Sequence, residues 1–403
     1  MALMPVAEAL DRLLANVRRK DAEHLPLHNA YRRVLASDLK ARRTQPPFAA
    51  SAMDGFAVRS EDMIEAPSEL TIIGEAPAGH GFDGTVGVGE AVRIFTGAPL
   101  PNGADSVLIQ ENADYAKGRQ TLKALEPVKP GQHVRPAGLD FTEGQTLLAE
   151  SCVIGPGELA LAASMDYAQI PVVRKPLVAV LATGDELVAP GTPRRDDQIV
   201  ASNSFGVAAL VRDNGGDVLD LGIAADTVEA IGSAIKQALE AGADLIVTLG
   251  GASVGDHDLV QTVLKDHGMS LDFWRIAMRP GKPLMAGSID STHILGLPGN
   301  PVSSMVCGLL FMRPLIRTLA GLSLDDISDV DAVLGADLPE NDQRQDYIRA
   351  TLSQGPDGHL TATPFAKQDS SMLARLVQSD CLIIRPPFAE AVKTGDVCKI
   401  LKL

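Results

Sequence analysis

Hydrophobic positions change period several times along the chain, and each change marks a unit. Near the amino terminus Val6, Leu10, Leu13, Leu14 and Val17 recur at helical spacing behind Pro5, which predicts an amphipathic helix over residues 5–20. A short extended piece and a helical turn follow through LPLHNAYRRVLASDLKAR. The prolines and small residues of QPPFAASAMDGFAVRS, residues 45–60, then predict a loop entering a new unit. Up to residue 140, runs at 70–73, 91–95, 106–110 and 120–124 between Gly and Pro predict a small β-rich domain. One further helix is predicted over 158–165. From 177 onward strands at 177–182, 218–223, 245–249, 271–276, 283–287 and 292–297 alternate with helices at 203–213, 226–241 and 301 to about 320. Asp226 with Glu229 reads as a capping box, and Gly242 sits at the helix end. This alternation predicts an α/β domain with a mostly parallel sheet over 176–327. After residue 328, strands at 333–338, 346–352, 360–364, 381–385 and 397–401 predict a C-terminal β domain, 328–403.

The most informative run is LIVTLGGASVGDHD, residues 245–258. Five apolar residues suit a strand covered on both faces. Gly250 and Gly251 then admit close backbone approach, and Ser253, Asp256 and Asp258 follow. Backbone N–H groups, a hydroxyl and two carboxylates suit a phosphate held together with a hard cation. Two more loops leave predicted strands of this domain: Thr183-Gly184-Asp185-Glu186 and Leu297-Pro298-Gly299-Asn300-Pro301. In an open parallel sheet all three meet beyond the carboxyl ends of the strands, where ligands bind. Asn300 stands where it caps a helix opening at Pro301. Taken singly, each loop is more often structural than functional; together they point to a phosphate-containing ligand. The acids Asp185, Glu186, Asp226, Asp256 and Asp258 repel phosphate unless a cation such as Mg²⁺ intervenes. Arg275 and Arg279, with Lys282, supply forks suited to an oxyanion, or else form a solvated surface pair.

Composition narrows the class. With 403 residues the chain exceeds one ordinary core. At 45% hydrophobic and 22% charged it is globular. A formal charge of −15 and 4% aromatics, with Trp274 the single tryptophan, argue against nucleic acid and anionic membranes as partners. Cys152, Cys307, Cys381 and Cys398 show no metal spacing and read as reduced, mostly buried thiols of a cytoplasmic protein. The opening MALMPVAEALDRLL lacks the basic and apolar regions of a signal peptide, and the longest apolar run stops at Arg313. No P-loop, dinucleotide fingerprint, zincin helix or nucleophile elbow is present.

Nine motifs in order carry a resemblance: SAMDGFAV (51–58), RIFTGAPLP (93–101), VRPAGLD (134–140), TGDEL (183–187), GGASVGDHD (250–258), MRPGKP (278–283), GLPGNPVSS (296–304), YIRATL (347–352) and QDSSML (368–373). Together they resemble the MoeA-type molybdopterin molybdenumtransferases, the family of the gephyrin E domain. The resemblance implies four domains: 1–45 joined with 141–175, then 46–140, 176–327 and 328–403. It implies that molybdenum from molybdate enters adenylylated molybdopterin with release of AMP and with Mg²⁺ present, the last step of cofactor assembly. It also implies a cytoplasmic homodimer with its active site at the subunit interface. A molybdopterin adenylyltransferase and acceptor molybdoenzymes are the further partners implied.

By motif, Thr183, Gly184, Glu186, Gly250, Gly251 and Ser253 would line the pterin pocket, shaped by Pro298 and Pro301. Asp226, Asp256 and Asp258 would serve Mg²⁺ and pyrophosphate. Asp54, Thr96, Arg135 and Asp140 would come from the partner subunit, with Asp258, Glu186, Asp54 and Asp140 as the catalytic acids. Arg275, Arg279, Arg349 and Ser370 would hold molybdate. The sequence departs from the pattern at Arg275 and Arg279, where lysines are common, at Ala201, where an Asp often precedes Ser-Asn, and at Asp369, in a place often held by Gly. A dimeric scaffold of the gephyrin E-domain type, a non-catalytic pterin-binding paralogue and a related adenylyltransferase are the competing classes.

Overall fold

A computed structural model describes residues 3–116, 118, 120–251, 259–355 and 358–403. The chain forms two compact units, one of Met1–Glu23, Arg32–Ala36 and Pro171–Leu403, the other of His24–Tyr31 and Ser37–Ile170.

The smaller unit holds a six-stranded sheet in the order Ser106–Ile109, Gly55–Val58, Glu90–Ile94, Ser68–Ala76, Thr121–Ala124, Ala113–Asp114. The expected β-rich runs all appear, but the loop expected over 45–60 is broken by two short strands, Ala50–Ser51 and Gly55–Val58. Gly55–Val58 lies inside the sheet, antiparallel to both neighbours. Phe56 and Val58 pack with Met63, Leu70 and Leu122, while Ala57 faces Val92, Ile94 and Val107. A strand buried on both faces shows no alternation, and four residues beginning in glycine give no period to read. Glycine is required at its start, because a Cβ on Gly55 would lie 2.0 Å from the Leu108 carbonyl oxygen. Shorter antiparallel pairs join Leu39–Lys40 to Thr146–Leu148 and Ala50–Ser51 to Val134–Arg135. The helix Pro156–Ser164 opens on proline, with the Glu158 carboxylate accepting the Gly155 N–H at 3.0 Å.

In the larger unit the amino-terminal helix α1 (Val6–Leu14) is shorter than its apolar pattern. Beyond it the chain straightens so that the Lys20 N–H reaches the Leu319 carbonyl at 2.9 Å. The central sheet comprises β1 (Leu177–Thr183), β2 (Asp217–Ala224), β3 (Leu245–Leu249), β4 (Ser270–Trp274), β6 (Met285–Ile289) and β7 (Thr292–Leu297). A short β5 (Met278–Arg279) lies outside it. Its order is β2-β1-β3-β7-β6-β4. The first four strands are parallel, and β6 and β4 are antiparallel additions. The registers Thr183↔Ala224, Ala182↔Leu249 and Leu249↔Leu297 align the carboxyl ends of the four parallel strands. Helices α2 (Asn203–Asp213), α3 (Val228–Glu240) and α4 (Leu259–Asp266) connect strands around this sheet.

The α3 start differs from expectation. Thr227 is the cap, its Oγ1 accepting the Ala230 N–H at 3.2 Å, so Asp226 lies outside the helix with its carboxylate released from capping. Gly242 ends the helix at φ 71°, as expected. The long helix begins at α5 (Pro301–Cys307), widens into a π turn over Gly308–Met312 and resumes as α6 (Arg313–Ala320). Pro314 has no N–H to bond four residues back, which accounts for the local widening. Among the described residues this is the one helix long and apolar enough to cross a membrane; most of it is buried inside the unit, with Val302, Val306, Phe311, Leu315 and Leu319 in the core.

Five C-terminal strands, β8 (Val330–Leu334), β9 (Gln345–Gln354), β10 (Leu360–Pro364), β11 (Cys381–Arg385) and β12 (Val397–Lys402), close as β9-β10-β8-β12-β11 and back to β9. β5 adds to β9 in parallel. A helical turn, Leu373–Val377, was not expected from the sequence. All four cysteines are free; Cys307 and Cys381 are buried and the other two half-buried.

Candidate active site

A cavity of about 570 Å³ opens beyond the aligned carboxyl ends of the parallel strands. Thr183 and Glu186 line it from the loop after β1, and Gly251 from the end of β3. Pro298, Gly299, Asn300 and Pro301 contribute the loop after β7. The three loops singled out in the sequence therefore share one wall. Glycines make this crowding feasible: Gly250 lies at φ 101°, and a Cβ there would meet the Thr183 carbonyl oxygen at 2.8 Å. Gly184, at φ 146°, turns the neighbouring loop. Ser253, Asp256 and Asp258 lie outside the described residues. Asn300 occupies the cap position of α5, but its side chain makes no capping bond.

Three acids gather where β1 and β2 end. The Asp226 N–H donates to Asp185 Oδ1 at 3.1 Å, and the Asp185 N–H donates to Asp226 Oδ2 at 3.4 Å. Partial burial pushes the Asp226 carboxyl above its usual range, and the charges of Asp185 and Glu186 push the same way. A carboxylate so placed is relieved by a cation. Among the described residues no three His, Cys, Asp or Glu side chains form a complete cage.

The four groups expected to hold an oxyanion are not equally available. Arg349 is 1% exposed. Its Nε donates to Gln368 Oε1 at 3.3 Å, Nη1 to the Met372 carbonyl at 3.1 Å and Nη2 to the Asp369 carbonyl at 2.9 Å. Its fork thus organises the 368–372 loop. Ser370 is held by its carbonyl, which accepts the Val302 N–H at 3.1 Å, and it is Ser371 that reaches the cavity wall. The Asp369 carboxylate accepts the Ser371 N–H and hydroxyl at 2.8 and 2.6 Å, so its charge is spent within the loop. Arg279 is ion-paired to Asp346, with Asp342 at 3.4 Å. Arg275 adopts φ 73°, unusual for a non-glycine, with its guanidinium 4.5 Å from the Trp274 ring and a buried Nε without a partner. Strain and an unsatisfied buried donor set Arg275 apart from the other three groups.

In the smaller unit, Thr96 donates both its N–H and its hydroxyl to Asp54 Oδ1, at 2.8 and 2.7 Å. These bonds hold the Asp54 carboxyl below its usual range, with a smaller contribution from the Arg93 charge. Arg135 is exposed on the strand paired with Ala50–Ser51, and Asp140 is exposed, its N–H donating to the Gln45 carbonyl at 3.0 Å.

Three family descriptions match the chain in order: the MoeA N-terminal region (domain I and II) over residues 4–165, a probable molybdopterin binding domain over 179–318 and the MoeA C-terminal region (domain IV) over 331–403. The molybdopterin molybdenumtransferase of a Nostoc species is 34% identical over 393 residues, 96% of this chain and 89% of that one. The chain belongs to the MoeA family of molybdopterin molybdenumtransferases. A second relative, molybdopterin molybdenumtransferase 2 of Mycobacterium tuberculosis, is 38% identical over 361 residues, 87% of this chain and 88% of that one. The crystal structure of a MoeA protein of molybdopterin biosynthesis from Pyrococcus horikoshii is similar along 100% of this chain and 99% of that chain, with a TM-score of 0.85 and 28% identity.

Within this MoeA fold the cavity also uses residues to which the sequence reading gave no site role. Asn203 Nδ2 donates to the Gly299 carbonyl at 2.7 Å and ties the start of α2 to the loop after β7. Ala201, Ser202, Pro283 and Ser371 also line the wall. The available signal was position: Ser202-Asn203 opens a helix of the same parallel domain, and Pro283 ends the MRPGKP segment.

Proposed function

We infer that this chain is a molybdopterin molybdenumtransferase acting at the last step of molybdenum cofactor assembly. Water cleaves the phosphoanhydride of adenylylated molybdopterin, AMP leaves, and molybdenum from molybdate is taken up at the pterin dithiolene. One observation carries this reading: Thr183, Glu186, Gly251, Pro298 and Pro301 meet in one cavity at the strand ends of a chain that follows the MoeA fold throughout. Backbone N–H groups and hydroxyls there bind and orient the pterin and its phosphates. Asp226, with Asp256 and Asp258, would hold Mg²⁺, which when bound spreads the charge that develops on the phosphoanhydride oxygens. Arg275 and Arg279 would bind molybdate, a dianion that needs cationic donors. Asp54, Thr96, Arg135 and Asp140 would act from the partner subunit of a cytoplasmic homodimer, with an adenylyltransferase as supplier and apo-molybdoenzymes as acceptors.

The test is AMP release from adenylylated molybdopterin by the purified protein with Mg²⁺, with and without molybdate. Molybdate-dependent release, yielding cofactor that reconstitutes an apo-molybdoenzyme, is the expected result. Tight pterin binding with no release under either condition would overturn it in favour of a binding paralogue.

A further inference from the structure

Arg279 stands on β5, whose parallel bridge to β9 sets Arg279 opposite Asp346. Asp346 is 7% exposed. One of its oxygens takes Nη2 of Arg279, while Oδ1 is buried without a hydrogen-bond partner. Among the described residues the further contacts of the guanidinium are Nη1 to Asp342 Oδ2 at 3.4 Å and the same Nη2 to Asn341 Oδ1 at 3.5 Å, both at the limit of a hydrogen bond. Asp342 is already engaged by Arg344, whose Nη2 donates at 2.8 Å. The Arg279 side chain is 48% exposed against 10% for Asp346, so the pair has a buried anionic end and an open cationic one. The same segment, 278–283, delivers Pro283 to the cavity wall.

A buried carboxylate stripped of its cation is strongly unfavourable, so an incoming anion cannot displace Asp346 and must bind beside it. A planar five-donor fork allows this in a fixed geometry, whereas an ammonium is a compact point charge that Asp346 draws toward itself. We propose that Asp346 is a positioning residue for the oxyanion site: it grips Arg279 by one nitrogen and leaves Nε and the outer N–H groups for molybdate. Arginine therefore serves better than lysine at 279 as long as Asp346 faces it. This rests on the reading of Arg279 as a molybdate ligand.

The test measures kcat and the molybdate KM of AMP release for Arg279→Lys, Asp346→Asn, their double variant and Arg279→Met. Arg279→Lys is expected to raise KM about tenfold with kcat nearly unchanged, because Asp346 absorbs the ammonium. Asp346→Asn is expected to act with opposite signs in the two backgrounds. It raises KM with Arg279 present, where orientation is lost, and lowers it in the Arg279→Lys background, where the ammonium is freed. A merely structural role gives the same change in both. The proposal is overturned if Arg279→Lys leaves KM unchanged, or if Asp346→Asn shifts KM by the same factor in each background. If Arg279→Met also leaves KM unchanged, the oxyanion role of Arg279 falls with it. If Arg279→Met raises KM while the two backgrounds respond alike, that role stands and only the positioning role falls.

Discussion

At the scale of single residues, the acids and arginines of the site are distinguished by what already holds them. Asp54 is fixed as a carboxylate by two donors from Thr96, whereas Asp226 sits against two other acids and is pushed toward its protonated form. The consequence for stability has a definite sign. A carboxyl whose folded pKa lies above its unfolded value binds its proton more tightly in the folded state. Its favourable contribution is complete below the unfolded pKa and is lost as pH rises through the folded pKa. At neutral pH, Asp226 therefore opposes folding. Asp226→Asn is expected to raise the melting temperature at pH 7.5 slightly, by about 1 °C given the exposure of the group, and the gap should close near pH 4. The same substitution should abolish or sharply reduce Mg²⁺-supported AMP release. A melting temperature that falls at neutral pH, measured by calorimetry without divalent cations, would count against the electrostatic account. None of this was readable from the sequence, where Asp226 looked equally like a helix cap. Only the structure passes that task to Thr227. Arg349 makes the same point: the motif alone does not show that its donors end on Gln368, Asp369 and Met372.

At the scale of elements, the strong periodic signals held and the weak ones failed for physical reasons. The parallel strands β1, β3 and β7 and helix α2 are where apolar runs and helical spacing put them, and their registers bring the three loops together. Gly55–Val58 escaped because both its faces are buried and its side chains are mostly small, so no polar alternation reports on it. Its importance follows from the same facts. Gly55→Ala forces a Cβ into the Leu108 carbonyl oxygen, so Gly55–Val58 must separate from Ser106–Ile109 or shift in register. The expected cost is about 1–3 kcal/mol of stability, read as a lower urea midpoint. Asp54 directly precedes this strand and the Asp54 carbonyl accepts the Gln110 N–H at 3.1 Å, so activity should fall along with stability. Full stability in Gly55→Ala would mean that the sheet relaxes there without cost. The loop organised by Arg349 was invisible for a different reason. Its order comes from a buried guanidinium serving two carbonyls and a side-chain amide, a pattern with no periodicity at all.

At the scale of the whole molecule, the proposed site draws on two groups of residues that lie in different units of the chain. Asp226 and the cavity belong to the larger unit, and Asp54 with Thr96 to the smaller. If one subunit supplies the first group and its partner the second, inactive variants of the two groups complement each other. In the proposed homodimer, Asp226→Asn and Asp54→Asn should each be nearly inactive. Mixed after dissociation and reassociation, half of the dimers become hybrids. Each hybrid has one site carrying both substitutions and one carrying neither, so about a quarter of the wild-type AMP release should return. A site built within one chain has no such route: every site in the hybrid then carries one defect, and mixing restores nothing. The recovered fraction distinguishes the two architectures without requiring the role of either acid to be settled, because it depends only on how the defects are distributed. It also bears on the scaffold alternative, since a platform without turnover dimerises and exchanges subunits but returns no activity at any mixing ratio.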